Sequence, residues 1–318
     1  MPMVVTDRNL VTLSDDFAEV VVCPSLGAAV ASYDLISRNG IDRTSVLRPL
    51  KLVENANCGP FDFACNVMVP WCNRIGGDGF WFDGNYYPVS PNVVGEKYPL
   101  HGDGFSSSWE ILIQTSAKVA LLLDSRSIPP FIYTAMLVYE LIRGALCMSL
   151  SVTNRSTMSI PFGIGFHPWF YKHSDTLLQF NAGRYWTESE DYLPLERKAC
   201  VKGDSYSFQL TRDMPYRWIN TAYEEWSRHA TIYTSSQSLL VTLEASEALS
   251  NLMIFSPNST SDFVCVEPMS HIPNSHRMQG LENAAALDRL EPGQSLQGSL
   301  WIRPSRTLID MKCAYQHS

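Results

Sequence analysis

Met136-Leu-Val-Tyr-Glu-Leu-Ile-Arg-Gly-Ala-Leu-Cys-Met-Ser-Leu-Ser-Val-Thr153 is the stretch whose reading decides the fold. After Arg143-Gly144, the residues Leu146, Met148, Leu150 and Val152 fall on one side of a two-residue period, with Cys147, Ser149, Ser151 and Thr153 on the other. That period sends alternate side chains to opposite faces of a strand. The segment therefore reads as a hairpin with one apolar face and one wet or partner-facing side. The same texture continues outward. Residues 17–23 and 28–35 flank Pro24-Ser-Leu-Gly27 as two strands around a turn, and 120–123, 230–233, 239–243, 263–266 and 296–302 read as further strands. Helical periodicity is nearly absent, with a few short helical turns expected only around 61–67. A mainly all-β chain of this size has many sheet edges to manage, so two large stacked sheets or a closed barrel are the sensible architectures.

The chain has 318 residues, 45% hydrophobic and 18% charged, a composition that excludes disorder and a fibrous fold. Length alone would suggest about two domains. No linker, charge block or internal repeat divides the sequence, however, so residues 1–318 are expected to form one domain. With 24 Lys+Arg against 32 Asp+Glu the net charge is −8. No basic run is present to track phosphates, so nucleic acid is not an expected partner. The start Met1-Pro-Met-Val-Val-Thr-Asp-Arg-Asn-Leu10 lacks a basic region followed by an apolar one, and no stretch reaches the roughly 20 apolar residues needed to span a bilayer. A soluble, cytoplasmic protein with no membrane partner is the expectation. The eight cysteines are scattered with no CxxC pair and read as free thiols. The seven-residue recurrence of Cys58, Cys65 and Cys72 is broken by Pro60 and Pro70 and reads as accidental. Asn154-Arg-Ser and Asn258-Ser-Thr fit a glycosylation sequon, which is idle outside the secretory route.

Four stretches pack an ionisable residue among glycines, prolines and aromatics. They are Val69-Pro-Trp-Cys-Asn-Arg-Ile-Gly-Gly77, Pro99-Leu-His-Gly-Asp-Gly104, Gly163-Ile-Gly-Phe-His-Pro-Trp-Phe170 and Val264-Cys-Val-Glu-Pro-Met-Ser270. Each has a bland reading. Arg74 could be a surface arginine before a turn, His101 could brace a tight turn, and His167 could be a satisfied core histidine. Glu267 resists one, because it follows an apolar strand and precedes Pro268, where ladder pairing is expected to end. Together the four supply a carboxylate, two imidazoles and a guanidinium amid aromatic rings, the set that acid–base chemistry on a polar neutral molecule needs. Metal ligation is the rival use, but no HxH or HxxxE cluster accompanies the histidines. The segment from Asp78 to Asp83-Gly84 lacks the alternating acids of a calcium loop and reads as a solvated hairpin turn. There is no GxSxG elbow and no complete GxGxxG loop.

The ordered set Asn73-Arg74-Ile75, Tyr87, His101-Gly102 ending in Trp109, His167-Pro168-Trp169-Phe170, Cys265-Val-Glu-Pro268 and Leu290-Glu-Pro-Gly293 resembles the aldose 1-epimerase (galactose mutarotase) family, including its hexose-6-phosphate epimerase relatives. The resemblance runs from about residue 17 to 303. It implies a galactose mutarotase-like β-supersandwich of two large antiparallel sheets and cofactor-free interconversion of the α and β anomers of an aldose in an open cleft. It further implies Glu267 as base on the anomeric hydroxyl and His167 as acid on the ring oxygen, with His101, Arg74 and Asn73 binding hydroxyls. One departure concerns a family aspartate after the His-Pro motif. The best register places Asn220 there, with Asp213 seven residues earlier as the rival.

Ring opening needs a proton removed and another delivered in one geometry, which Glu267 ionised and His167 protonated would supply at neutral pH. Trp71, Trp81, Trp109 and Trp169 could wall the apolar face of a sugar, Trp169 foremost. Two alternatives stand beside this reading. One is an epimerase for an anionic sugar, a phosphate or sulfonate, using Lys97, Lys172, Arg217 or Arg228. The other is a non-catalytic sugar-binding or sensing protein. A glycoside-modifying enzyme is weaker, since its paired acids are not evident. A small sugar is the expected partner, and the protein is expected to be a monomer or a homodimer.

Overall fold

A computed structural model describes residues 10–37, 39–50, 58–214, 217–258, 260–278 and 286–306. Residues 1–9, expected to lack a secretory signal, and Ser259 of the second sequon lie outside them. Two large antiparallel sheets carry the fold. The first has eleven strands, in the order Val11–Ser14, Ala18–Cys23, Ala29–Ile36, Cys65–Met68, Gly165–Tyr171, Phe263–Met269, Asn251–Ser256, Ile219–Glu224, Arg184–Glu188 and Pro194–Ala199, with Arg43–Ser45 beside Ala29–Ile36. The second has nine, in the order Arg212–Asp213, Thr176–Phe180, His229–Thr234, Leu239–Ala245, Ser295–Arg306, Ala145–Asn154, Phe131–Ile142, Lys118–Ile128 and Glu110–Gln114.

The hairpin at 136–153 lies inside the second sheet, between Ser295–Arg306 and Lys118–Ile128. Ile142 pairs with Ala145 across Arg143 and Gly144, whose φ values of 52° and 81° give the twist that matches a hairpin to its strands. Its apolar face, Leu146, Met148, Leu150 and Val152, is buried against Phe166, Phe170, Ile254, Val264 and Val266 of the first sheet in one hydrophobic cluster. The two-sheet architecture is therefore the expected one. A hairpin of Gly79–Phe82 and Asn85–Pro88 turns at Asp83-Gly84, where a solvated turn rather than a calcium loop was read.

Two local expectations fail. Only Pro60–Asp62 makes a helical turn in the 61–67 region. Cys65–Met68 is a strand in the middle of the first sheet, paired with Gly165–Tyr171 and buried on both faces, so it shows neither alternation nor a polar side. Pro268 also does not end its strand, because Leu252 stands opposite Pro268 and Asn251 opposite Met269. Pro168 likewise sits inside Gly165–Tyr171. Neither proline has an N–H to give, and both face one seam, so the ladder tolerates them where its pairing lapses.

Cys23, Cys65, Cys72, Cys147, Cys200 and Cys265 are free thiols. No helix among those residues is long and apolar enough to cross a membrane. Phe166 is fully buried between the sheets. Phe166→Ala is expected to lower unfolding free energy by about 3–5 kcal/mol in denaturant titration. A loss below about 1 kcal/mol would mean that the sheets do not close on this ring.

Candidate active site

Alternation along Gly165–Tyr171 sends Phe166 and Phe170 into the inter-sheet core and His167 and Trp169 to the outer face of the first sheet. Along Phe263–Met269 it sends Val264 and Val266 inward and Glu267 outward. The pairs Gly165 with Met269 and Trp169 with Cys265 bracket the seam and bring His167 level with Glu267. His167 Nε2 lies 3.4 Å from Glu267 Oε1, and both side chains are almost wholly buried. His167 Nδ1 and Glu267 Oε2 have no hydrogen-bond partner. The same seam brings the Cys265 thiol into the group, with potential ligand atoms of Cys265, His167 and Glu267 all within 4.8 Å. Burial, with the Glu267 charge second, pushes that thiol well above its usual range, which favours the protonated form rather than a thiolate ligand.

The rest of the cleft comes from loops over this face. Asn73 and His101 both have φ of 58°, a left-handed conformation that turns the two loops toward each other. His101 Nδ1 accepts the Asn73 N–H at 3.0 Å, which leaves Nε2 as the protonated nitrogen of the neutral ring. Gly102 follows with φ 73°, and a Cβ there would lie 2.1 Å from the Val69 carbonyl oxygen, so only glycine fits beside His101. Asp103 is buried and anchors the turn to the second sheet by accepting from the hydroxyls of Tyr133 at 2.5 Å, Ser125 and Ser127. Arg74 is held by Glu96 through paired hydrogen bonds of 3.1 Å. Asn220 donates to Glu188 at 2.7 Å. Trp169 stacks on His167 with centroids 5.1 Å apart, backed by the Arg48 guanidinium at 4.2 Å on its ring.

The site opens into a cleft of about 260 Å³. It brings together all seven residues expected from sequence: Glu267, His167, Arg74, His101, Asn73, Asn220 and Trp169. Phe61, Glu96, Leu100 and Phe255 complete it. Asp213 belongs to the far edge of the second sheet, opposite Leu177, which leaves Asn220 as the residue at the cleft. Trp71 and Trp109 are core residues and Trp81 is largely exposed; none of the three lines the cleft.

Burial sets the electrostatics. It pushes Glu267 well above the usual carboxylate range, with Arg74 pulling weakly the other way. It pushes His167 down to about 3, with Arg48 adding to the effect, and His101 well below 6.5, with His167 and Arg74 adding. Burial therefore favours a neutral carboxyl beside a neutral imidazole, and the ionised pair expected from sequence is the less favoured arrangement of the same single proton.

The sequence pattern of the family described as Aldose 1-epimerase matches residues 9–303. The chain belongs to the aldose 1-epimerase family. It is 30% identical to the uncharacterised protein YphB of Escherichia coli K12 over 270 residues, 82% of this chain and 89% of that one. A crystal structure of a candidate aldose 1-epimerase from Escherichia coli K12 superimposes with a TM-score of 0.84 at 27% identity, covering 94% of this chain and all of the other. A galactose mutarotase-like protein of Clostridium acetobutylicum shares the fold with a TM-score of 0.81 at 19% identity, over 96% and 97% of the two chains. In this aldose 1-epimerase family member, sequence reading missed Glu96, Asp103 and Glu188. Glu96 and Glu188 act on cleft residues from separate segments, while Asp103 ties the His101 loop to the second sheet from inside His-Gly-Asp-Gly, the one local signal of the three.

Four buried histidines give the fold a pH dependence with a definite sign. His101, His167, His271 and His276 are all pushed down by burial, His271 to about 4. The unfolded chain takes up these protons near pH 6.5 and the folded one only far lower. Stability present above pH 6.5 is thus lost as pH falls, by about 1.4 kcal/mol per unit for each histidine. Glu267, pushed up, has the opposite sign above pH 4.5. Both ring nitrogens of His276 lack partners, and the ring packs on Phe80 at 4.7 Å and Trp71 at 6.2 Å. His276→Phe is expected to make unfolding free energy fall less steeply as pH drops below 6.5. An unchanged slope would remove His276 from this account.

Proposed function

We propose that the protein is an isomerase, an aldose 1-epimerase that interconverts the α and β anomers of a neutral aldose by acid–base ring opening. The buried Glu267–His167 pair, 3.4 Å apart on the floor of the cleft, carries this reading. The Glu267 carboxylate takes the anomeric O–H proton, His167 delivers a proton to the ring oxygen, and the C1–O bond breaks to give the open-chain aldehyde. Rotation about C1–C2 presents the other face, and closure reverses both transfers. His101, donating from Nε2, and Arg74 with Asn73 orient hydroxyls, and Trp169 offers a flat apolar wall. The reaction needs no cofactor.

The charge of the cleft favours a neutral substrate. Arg74 is the cation lining it, and Glu96 lies 2.9 Å from its guanidinium. Lys97, Lys172, Arg217 and Arg228, the cations considered for an anionic sugar, are not among the lining residues; Lys97 is paired with Asp191 at 2.7 Å.

Polarimetry of freshly dissolved α-glucose and α-galactose tests the reading. The wild-type protein is expected to speed the drift to equilibrium, and Glu267→Gln to lose on the order of 10²–10⁴-fold of that acceleration without unfolding. An active Glu267→Gln protein would sink the base assignment, and an inert wild-type protein the enzyme reading. Glucose 6-phosphate and a sulfosugar are expected to be at least about tenfold poorer substrates, since among the described residues their anions meet no unpaired cation in the cleft. The pair works with one proton. Raising pH removes it only above the raised Glu267 value, and lowering pH adds a second only near the lowered His167 value. The profile of kcat/KM should therefore show no inflection at the free-imidazole value of about 6.5. A fall centred near 6.5 would show that His167 titrates as a free imidazole.

A further inference from the structure

We propose that Glu188 is a positioning residue that fixes which atom Asn220 shows to the sugar, an inference that rests on the cleft being a sugar site. Glu188 ends the strand Arg184–Glu188. The pairs of Arg184 with Glu224 and Tyr185 with Tyr223 run on to bring Glu188 level with Asn220 in the neighbouring strand. The two carboxylate oxygens are each taken by one donor, Oε1 by the Trp218 indole N–H and Oε2 by the Asn220 amide at 2.7 Å. The indole is itself held edge-on against Phe255, which lines the cleft, with centroids 5.7 Å apart.

A primary amide has a donor end and an acceptor end of nearly the same shape, and a sugar hydroxyl can meet either. An ionised carboxylate only accepts, so Glu188 holds the NH₂ of Asn220 and leaves Oδ1 for the cleft. Asn220 therefore presents an acceptor of fixed position and polarity, and the bound hydroxyl donates to it. Without Glu188 the amide turns, and half of its orientations offer a donor instead. The neutral amide also avoids placing a second carboxylate against Glu188, where two like charges within hydrogen-bonding distance would have to share a proton.

Steady-state polarimetry with α-glucose and α-galactose, alongside calorimetric titration of the same sugars, tests this. Glu188→Ala is expected to raise KM and the dissociation constant about tenfold while kcat changes less than twofold, as the loss of one oriented hydrogen bond implies. Asn220→Asp beside the native Glu188 is expected to bind progressively more weakly from pH 5.5 to 8. Adding Glu188→Gln to it is expected to remove that pH dependence and restore KM to within about threefold of wild type. Glu188→Ala with unchanged KM, or Asn220→Asp whose binding does not respond to Glu188→Gln, overturns the proposal. Should Glu188→Ala fail to fold, the Asn220→Asp and double-variant comparison decides alone. A wild-type protein that binds sugar without turning it over defeats the epimerase reading but leaves this inference to the calorimetry; one that binds neither sugar defeats both.

Discussion

A carboxyl group and an imidazole held 3.4 Å apart and out of solvent is the arrangement on which the rest of the molecule depends. Each group alone loses hydration on burial, and the loss is tolerable only if one proton serves both. The sheet must then keep two strands in a register that neither slips nor closes. Gly165 opposite Met269 and Trp169 opposite Cys265 pin the two ends of the seam, while Pro168 and Pro268 leave its middle without their N–H groups. A one-residue slip would send Glu267 into the inter-sheet core and Val266 into the cleft. The Phe166, Phe170, Val264 and Val266 side chains that face the second sheet are what prevents it.

Around that pair Arg74, His101 and Asn220 are each committed on one side and open to the cleft on the other. Glu96 holds Arg74, the Asn73 N–H holds His101, and Glu188 holds Asn220. Each anchor fixes the identity of the atom left over: a protonated Nε2 on His101, an acceptor oxygen on Asn220. Asp103 applies the same device one step further out, tying the His101 loop to the second sheet through Tyr133, Ser125 and Ser127. The geometry of the site is thus set by side chains of both sheets and the loops between them, and no single motif contains it.

That division explains what was legible in the sequence. The strands of the second sheet show one polar face, as at 146–153, and alternation revealed them. The central strands of the first sheet, such as Cys65–Met68 and Gly165–Tyr171, are covered on both sides, so they carry no alternation, and Pro268 inside their neighbour Phe263–Met269 looked like an end. The seven cleft residues were found because their motifs pack ionisable groups among aromatics and because their order resembles a family. Glu96 and Glu188 stood in unremarkable stretches, and their partners lie 22 and 32 residues away in sequence. Asn220 and Asp213 could not be separated by spacing, but they belong to different sheets, and of the two it is Asn220 that lines the cleft.

Burial also bears on the direction in which the proposed reaction runs easily. With a cyclic sugar bound, Glu267 must be ionised and His167 protonated, the arrangement that the dry cleft disfavours. Sugar hydroxyls donating to the carboxylate and the nearby Arg74 charge offset part of that cost. When the anomeric proton moves to Glu267 and the His167 proton to the ring oxygen, both groups become neutral, the state that burial favours. Ring opening therefore discharges a buried ion pair, and closing the ring on either face restores it. The site gains nothing by preferring one anomer, since the same two neutral groups face the aldehyde whichever face it turns. A cleft built to bury its acid and its base is in this way suited to a reaction whose middle is uncharged and whose two ends are alike.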